Sequence, residues 1–316
     1  MVEIDENGTK IRDAIFGGNN TDRLYSLQAF PDSGLLLAGV SYSSANGDVT
    51  EEAKGDADFW VLRLDSNWNK LWDKRYGGSG QDWFDDLEVA PDGGFFLAGS
   101  TTSSANGDVT ETVDNPLHAD FWVVKIDQNG TLLWENLLVA DSSNYGVSLL
   151  VQPDGGLWVI GESWGSVARP NIPGYEVTAV ANGESDALLF ELDANGNQVK
   201  DRWIGGPNEE WAPRILAQQN SNGFLVSARS NSVPGGDRSA IGFGGFDAWV
   251  ATFDANGNRN HYATDPDGDV LVWSITGGSD ASQFSINATT GELILSSADY
   301  ENPQDTDGNN TYEVTL

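Results

Sequence analysis

The sequence predicts an all-β chain built as a β-propeller of four to five four-stranded blades, and three observations predict it. A unit best seen in ADFWVVKIDQNGTLLW returns along most of the chain, its leading aspartates Asp58, Asp120, Asp186 and Asp247 lying 62, 66 and 61 residues apart. A period of about 60 residues is the signature of a repeat architecture. Each repeat divides into strand-sized runs separated by Pro-Asp-Gly-Gly and Asn-Gly turns, which supply preset or positive φ. The third run of each repeat is apolar on both faces, with Trp60, Leu62 and Leu64 alternating against Phe59 and Val61. Sheets stacked radially in a propeller are covered on both sides by their neighbours. A solenoid of single-strand turns would use a shorter period.

The second repeat shows the elements in order. GGSGQDWFDDLEVA carries the first strand, PDGG a tight turn, FFLAGST the second strand, and SSANGDVTETVDNPLHA a long polar loop. DFWVVKID and TLLWENLL then form a hairpin around Gln128-Asn129-Gly130. The same parts divide the chain into a half repeat (1–16) and full repeats at about 17–76, 77–138, 139–204 and 205–263, the fourth a weaker copy. Because strands alternate in direction, the PDGG and DxNG turns emerge on one rim. The GG-led connections and the long loops (43–57, 103–119, 163–185 and 229–246) emerge on the other. Loops on a rigid scaffold are where binding concentrates, so the long-loop rim is the expected binding face.

The pattern D-[AF]-[FW]-V-x-K-[IL]-D-x-N-G, with GGSGxD and PDGG-F-x-x-AGST, resembles the β-propeller repeats of large bacterial secreted and surface proteins over residues 1–263. After Tyr262 the character changes: residues 264–316 hold seven Asp and three Glu with no Lys or Arg. ATDPDGD, the Thr-Thr-Gly-Glu-Leu run and DYENPQDTDGNNTYEV make this segment resemble the bacterial cadherin-like domains of calcium-dependent, RTX-type adhesins. That resemblance implies a partial cadherin-like β-sandwich at 264–316, without the family's first strand. It also implies calcium ligands at Asp265, Asp267, Asp269, Asp299, Glu301, Asp305, Asp307 and Asn309. Clustered carboxylates and carbonyls are the hard oxygen donors that calcium takes. Asn46 and Asp48, with Asn106 and Asp108 in an identical SSANGDVTE loop, form a weaker second candidate set.

Charge narrows the partners. Sixteen basic against 48 acidic residues give a formal charge of −32, which repels nucleic acid and anionic membranes. No apolar run reaches membrane-span length. There are no cysteines, so thiols say nothing about compartment. MVEIDENGTK has neither a basic nor an apolar leader region, and both ends fall inside strand-like text. The chain is therefore expected to be part of a longer exported polypeptide, extracellular or at a bacterial cell surface.

Catalytic patterns are thin. No GxSxG, HExxH or P-loop occurs, and neither His118 nor His261 neighbours a nucleophile motif. Asp85-Asp86 and Glu209-Glu210 are paired carboxylates in an acid-rich chain, and Arg169, Arg214, Arg229 and Arg238 are scattered along the sequence. Trp83, Trp164 and Trp211 are the candidates for stacking on a sugar ring. The expectation is a non-enzymatic binding module with no catalytic residues, recognising a glycan or surface protein. The alternatives are a propeller enzyme with a channel-mouth site, or a structural spacer.

Overall fold

The computed structural model describes residues 1–30, 33–112, 117–138, 143–164, 185–218, 223–239, 241–259, 274–286 and 293–295. Contacts divide the chain into two compact units, Met1–Gly257 and Asn258–Leu316. The first opens with a hairpin, β1 (Val2–Ile4) and β2 (Lys10–Asp13), and continues as four antiparallel meanders. Blade I is β3 (Asp22–Ala29), β4 (Leu35–Ser41), β5 (Asp58–Leu64) and β6 (Lys70–Tyr76). Blade II is β7 (Asp82–Val89), β8 (Phe95–Thr101), β9 (Asp120–Ile126) and β10 (Leu132–Leu138). Blade III is β11 (Asn144–Val151), β12 (Leu157–Ser163), β13 (Asp186–Leu192) and β14 (Gln198–Ile204). Among the described residues blade IV has three strands: β15 (Glu210–Ala217), β16 (Phe224–Ser230) and β17 (Asp247–Phe253). The first strands of successive blades approach one another, which places them innermost. The fold is an all-β propeller.

The two apolar faces of the third strand enter two different cores. Trp122 and Val124 pack with Phe59, Val61, Phe84 and Leu137 between blades I and II. Phe121 and Val123 turn the other way, onto Leu188 and Phe190 of blade III. Ile160, Leu189, Val226 and Trp249 continue the series between blades III and IV. Burying each such side chain is worth roughly 1.5–3 kcal/mol, so the blade interfaces carry most of the hydrophobic stabilisation. The remaining face of β5 (Trp60, Leu62, Leu64) is covered by Met1, Phe16 and Trp68. The Arg12 guanidinium also lies 4.0 Å from the Trp68 ring. Among the described residues the β1–β2 hairpin pairs with no other strand and packs on blade I where a preceding blade would sit.

The DxNG segments are turn chemistry. Each aspartate receives the backbone N–H groups two and four residues on: Asn7 and Thr9 at Asp5, and Asn129 and Thr131 at Asp127, all at 2.8–2.9 Å. The fourth turn position carries glycine at positive φ (Gly130 at 79°, Gly196 at 86°), but blade I places Trp68 there at φ 69°. Side-chain and backbone donors from Asn69 hold the Asp65 carboxyl below its ordinary value.

The long loops close back on their own blade. Asp48 N–H donates to Gly17 O at 2.9 Å, Asp108 N–H to Gly77 O at 2.9 Å, and Asp237 N–H to Gly205 O at 2.8 Å. Their carboxylates accept from the N–H groups of those same glycines, at 3.2, 3.0 and 3.4 Å. Blade IV therefore has this device in the sequence PGGDR, which does not read as a copy of SANGDV. In the second unit, β18 (Phe284–Ile286) follows a 3-10 turn at Ala281–Gln283 and pairs with β19 (Leu293–Leu295).

Candidate functional site

A repeated position builds the long-loop rim. The second residue of each innermost strand is Arg23, Trp83, Tyr145 or Trp211, and its cross-strand partners are Val40, Ser100, Glu162 and Arg229. A β-bulge follows each one, at Leu24/Ser26, Phe84/Asp86, Tyr145/Ser148 and Trp211/Arg214. Bulges re-aim side chains and raise local twist. Glycine in the second strand makes the close approach feasible: a Cβ at Gly99 would lie 1.8 Å from Trp83 O. In blade IV the bulge holds Ala212 at φ 51°, a strained conformation for a residue with a Cβ. Its N–H donates to Glu162 Oε2 at 3.0 Å.

These positions give an aromatic arc over three consecutive blades. Trp83 meets Tyr145 edge-on with centroids 6.3 Å apart. Trp164 stacks on Trp211 at 6.0 Å and 28°, and Trp211 packs on Phe246 at 4.5 Å. Between Tyr145 and Trp164 lies a cavity of about 380 Å³, lined by Ser143, Tyr145, Glu162 and Trp164. Trp164 is 47% exposed and Tyr145 42% exposed, so both present ring surface to a ligand. Glu162 is held between them, accepting from Trp164 Nε1 at 2.8 Å through its other carboxylate oxygen. Two flat rings flanking a fixed hydrogen-bonding group is an arrangement suited to a sugar, whose faces are apolar and whose edge is polar.

The structure thus brings the three tryptophans read from the sequence onto one rim, in different roles. Trp164 lines the cavity, Trp211 backs it, and Trp83 supports Tyr145. Tyr145, Glu162 and Phe246 belong to the site and were not singled out, and Arg229 was read only as one of four scattered arginines, because their proximity arises from strand pairing and blade stacking. The one signal available was the position after the GGxxxD acid. Deeper on β7, Asp85 accepts from Val147 N–H at 3.1 Å and Asp86 from Leu149 N–H at 2.9 Å, tying the strand to β11. Burial, offset in part by that N–H and by Arg214, pushes the Asp85 carboxyl up to about 6.

Asn46, Asp48, Asn106 and Asp108 serve loop closure: Asp108 also pairs with Lys54, and Asn106 Nδ2 donates to Ser104 O at 2.7 Å. Among the described residues no group of three or more His, Cys, Asp or Glu converges. Asp265, Asp267, Asp269, Asp299, Glu301, Asp305, Asp307 and Asn309 lie outside the described residues.

No family model matches the chain. The regulatory protein FlaEY of Caulobacter vibrioides is 28% identical over 170 residues, covering 53% of this chain and 17% of that protein. Among solved structures, a protein of unknown function from Dyadobacter fermentans is 12% identical with a TM-score of 0.41, covering 73% of this chain and 60% of that one. A Synechocystis apocarotenoid oxygenase is 10% identical with a TM-score of 0.43, over 81% and 54%. A thermostable family-43 glycoside hydrolase is 10% identical with a TM-score of 0.40, over 79% and 78%. The chain spans about a sixth of the curated relative and under two thirds of the first and second of these structures. Such likeness concerns fold alone, and none of it bears on the cadherin-like resemblance. It does correct the expectation of a non-enzymatic module: the neighbouring folds include glycoside hydrolases and an oxygenase, so the architecture gives no ground for excluding catalysis.

Proposed function

We propose that the chain recognises a saccharide at the aromatic long-loop rim. The observation that carries this reading is the cavity between Tyr145 and Trp164, with Glu162 fixed at its wall by Trp164 Nε1 and Ala212 N–H. An immobilised carboxylate presents its remaining lone pairs to hydroxyl donors without an entropic cost at binding. An oligosaccharide array tests it: selective binding of one glycan class supports the reading, and no binding to any saccharide removes it.

A second reading, a propeller hydrolase acting on the same ligand, is favoured by Asp85. A carboxyl titrating near 6 on an innermost strand suits general acid catalysis. Incubating the bound glycan with the protein and following reducing ends distinguishes the two. Turnover lost in Asp85→Asn would establish hydrolysis, whereas unchanged glycan would leave recognition alone.

For the acidic segment after Tyr262 we propose calcium binding, on the strength of ten carboxylates without a base. Removing calcium with a chelator is expected to lower the unfolding midpoint of that unit. An unchanged midpoint, with no calcium uptake by calorimetry, would remove the proposal.

A further inference from the structure

We infer that the rim carries a second subsite, centred on Arg229, that takes the carboxylate of an acidic sugar; this inference rests on the saccharide reading above. Arg229, the penultimate residue of β16, lies directly across from Trp211. Its guanidinium lies 5.0 Å from the Trp211 ring and 5.1 Å from the Phe246 ring. Trp211 is in turn stacked on Trp164, a wall of the cavity, so the cation belongs to the same continuous aromatic surface.

What sets Arg229 apart is its company. In a chain with three acidic residues for each basic one, arginines readily find carboxylates. Arg12 pairs with Glu3, Arg75 with Asp58, Arg202 with Asp237 and Arg238 with Asp247. Among the described residues the exposed Arg229 guanidinium has neither a hydrogen-bond nor an ion-pair partner. Its planar fork is oriented by two rings and keeps its donors for something else. A guanidinium matches a carboxylate through two parallel N–H···O bonds, and stacking on aromatic faces limits the freedom lost on engagement.

The neighbouring blade shows the contrast. Glu162 occupies in blade III the position that Arg229 occupies in blade IV, each across from the rim aromatic of its own blade. Both Glu162 oxygens are engaged by protein donors, one from Trp164 and one from Ala212. One blade thus offers a fixed acceptor for hydroxyls and the next an open cation for an anion. A uronic-acid-containing oligosaccharide supplies both, with hydroxyls and a carboxylate on successive rings. The overall negative charge opposes such a ligand only weakly at physiological ionic strength, where screening acts over about 8 Å.

The test uses the full chain and two probes with one backbone, an oligogalacturonate and its fully methyl-esterified form, beside a panel of acidic and neutral glycans. The expected result is tighter binding of acidic than esterified or neutral ligands, with Arg229→Gln losing on the order of tenfold on the acidic ligand and little on the neutral one. The Arg229→Lys variant, which keeps charge but loses the fork, should recover only part of the loss. Equal binding of acidic and neutral ligands, unaffected by Arg229→Gln, would overturn the subsite while leaving saccharide recognition intact. Absence of binding to any saccharide would remove both. Unfolding midpoints of the variants, expected to match the parent because Arg229 is exposed, separate loss of binding from loss of fold.

Discussion

Replacing Arg75 with leucine is expected to destabilise the propeller by about 3–5 kcal/mol, the cost of removing one partner of a buried ion pair. Arg75 Nη2 lies 2.7 Å from Asp58 Oδ2, and both side chains are fully buried. The arginine also donates to Ser41 O at 3.0 Å and to Ser43 O, so it fastens the start of the long loop of blade I. Leucine is not foreign to the position. The residue paired with the third residue of the third strand is Arg75 across from Trp60, Leu137 across from Trp122, and Trp203 across from Leu188. The loss should therefore come from the stranded Asp58 carboxyl and the released carbonyls, rather than from packing. Denaturant unfolding at pH 8 and pH 5 checks this: the loss should be smaller at pH 5, where Asp58 can take up a proton. A loss under about 1 kcal/mol at pH 8 would show that the pair is dispensable.

The second large effect has the opposite sign. Asp82→Asn is expected to stabilise the protein at neutral pH, by up to about 3 kcal/mol. Asp82 is fully buried, and burial pushes its carboxyl up to about 6 against the hydrogen bonds it accepts from Thr101, Gly78 and Ser103, with the negative charge of Asp58 adding a smaller push. Asp58 is itself raised by burial, although Arg75 and Lys54 N–H act against the rise. The two carboxyls face one small space. A Cβ on Gly77 would lie 2.4 Å from Asp82 Oδ2 and 2.5 Å from Asp58 Oδ1, an oxygen without a hydrogen-bond partner among the described residues. Because folding raises the Asp82 pKa above the unfolded value of about 4, the folded state keeps a proton that the unfolded chain has released. This contribution to stability is complete below about pH 4 and is lost as pH rises through about 6.

Blade III already contains the substitution. Asn144 takes the place of Asp82, and its Nδ2 donates to Asp120 Oδ1 at 3.2 Å and to Ala119 O at 3.1 Å. Asparagine at 82 should make the same bond to Asp58 through its amide nitrogen and keep its oxygen for the Thr101 and Ser103 hydroxyls, giving up the bond from Gly78 N–H, so the gain falls below that upper figure. Thermal unfolding from pH 4 to pH 8 should show the parent losing stability between about 4 and 6 and the variant losing much less. Parallel curves would mean that Asp82 does not carry the pH dependence. Because Arg75 and Asp82 act on one carboxylate, the double variant should regain part of the Arg75→Leu loss, a coupling that separate sites would not show.

Much of the architecture was legible because it is local. FFLAGST runs as a strand over the span read between its turn and loop, Phe95–Thr101, and DFWVVKID does so over all but its last residue, Asp120–Ile126. The two-faced burial of β5 and β9 follows directly from their composition. The recurring aspartate before each third strand bonds loop backbone as its position suggests: Asp58 accepts from Lys54 N–H at 3.0 Å and Asp247 from Phe243 N–H at 2.8 Å.

The site was less legible because it is assembled across blades. Glu162 and Ala212 are 50 residues apart in sequence, and Trp164 and Trp211 are nearly as far apart. Period-2 alternation sorts residues within one strand and does not relate Tyr145 to Trp211, which lie in different blades. It does not say that a bulge turns them onto the rim, or that Arg229 lies across a strand pair from one of them. The buried acids Asp82 and Glu210, and the half-buried Asp22, were hidden for another reason. In a chain with 48 acidic residues, composition offers no way to tell a buried carboxyl from a solvated one. Only Asn144, the neutral exception at that position, marks the place as one where charge is costly.

The measurement that bears most directly on saccharide recognition at the rim is a calorimetric titration of an array-selected oligosaccharide into the parent, Trp164→Ala and Tyr145→Ala proteins. If the cavity is the binding site, each variant should bind at least about tenfold more weakly, about 1.4 kcal/mol, with unfolding midpoints close to the parent because both residues are nearly half exposed and neither belongs to a blade core. Affinity unchanged in both variants would place the ligand elsewhere and contradict the account.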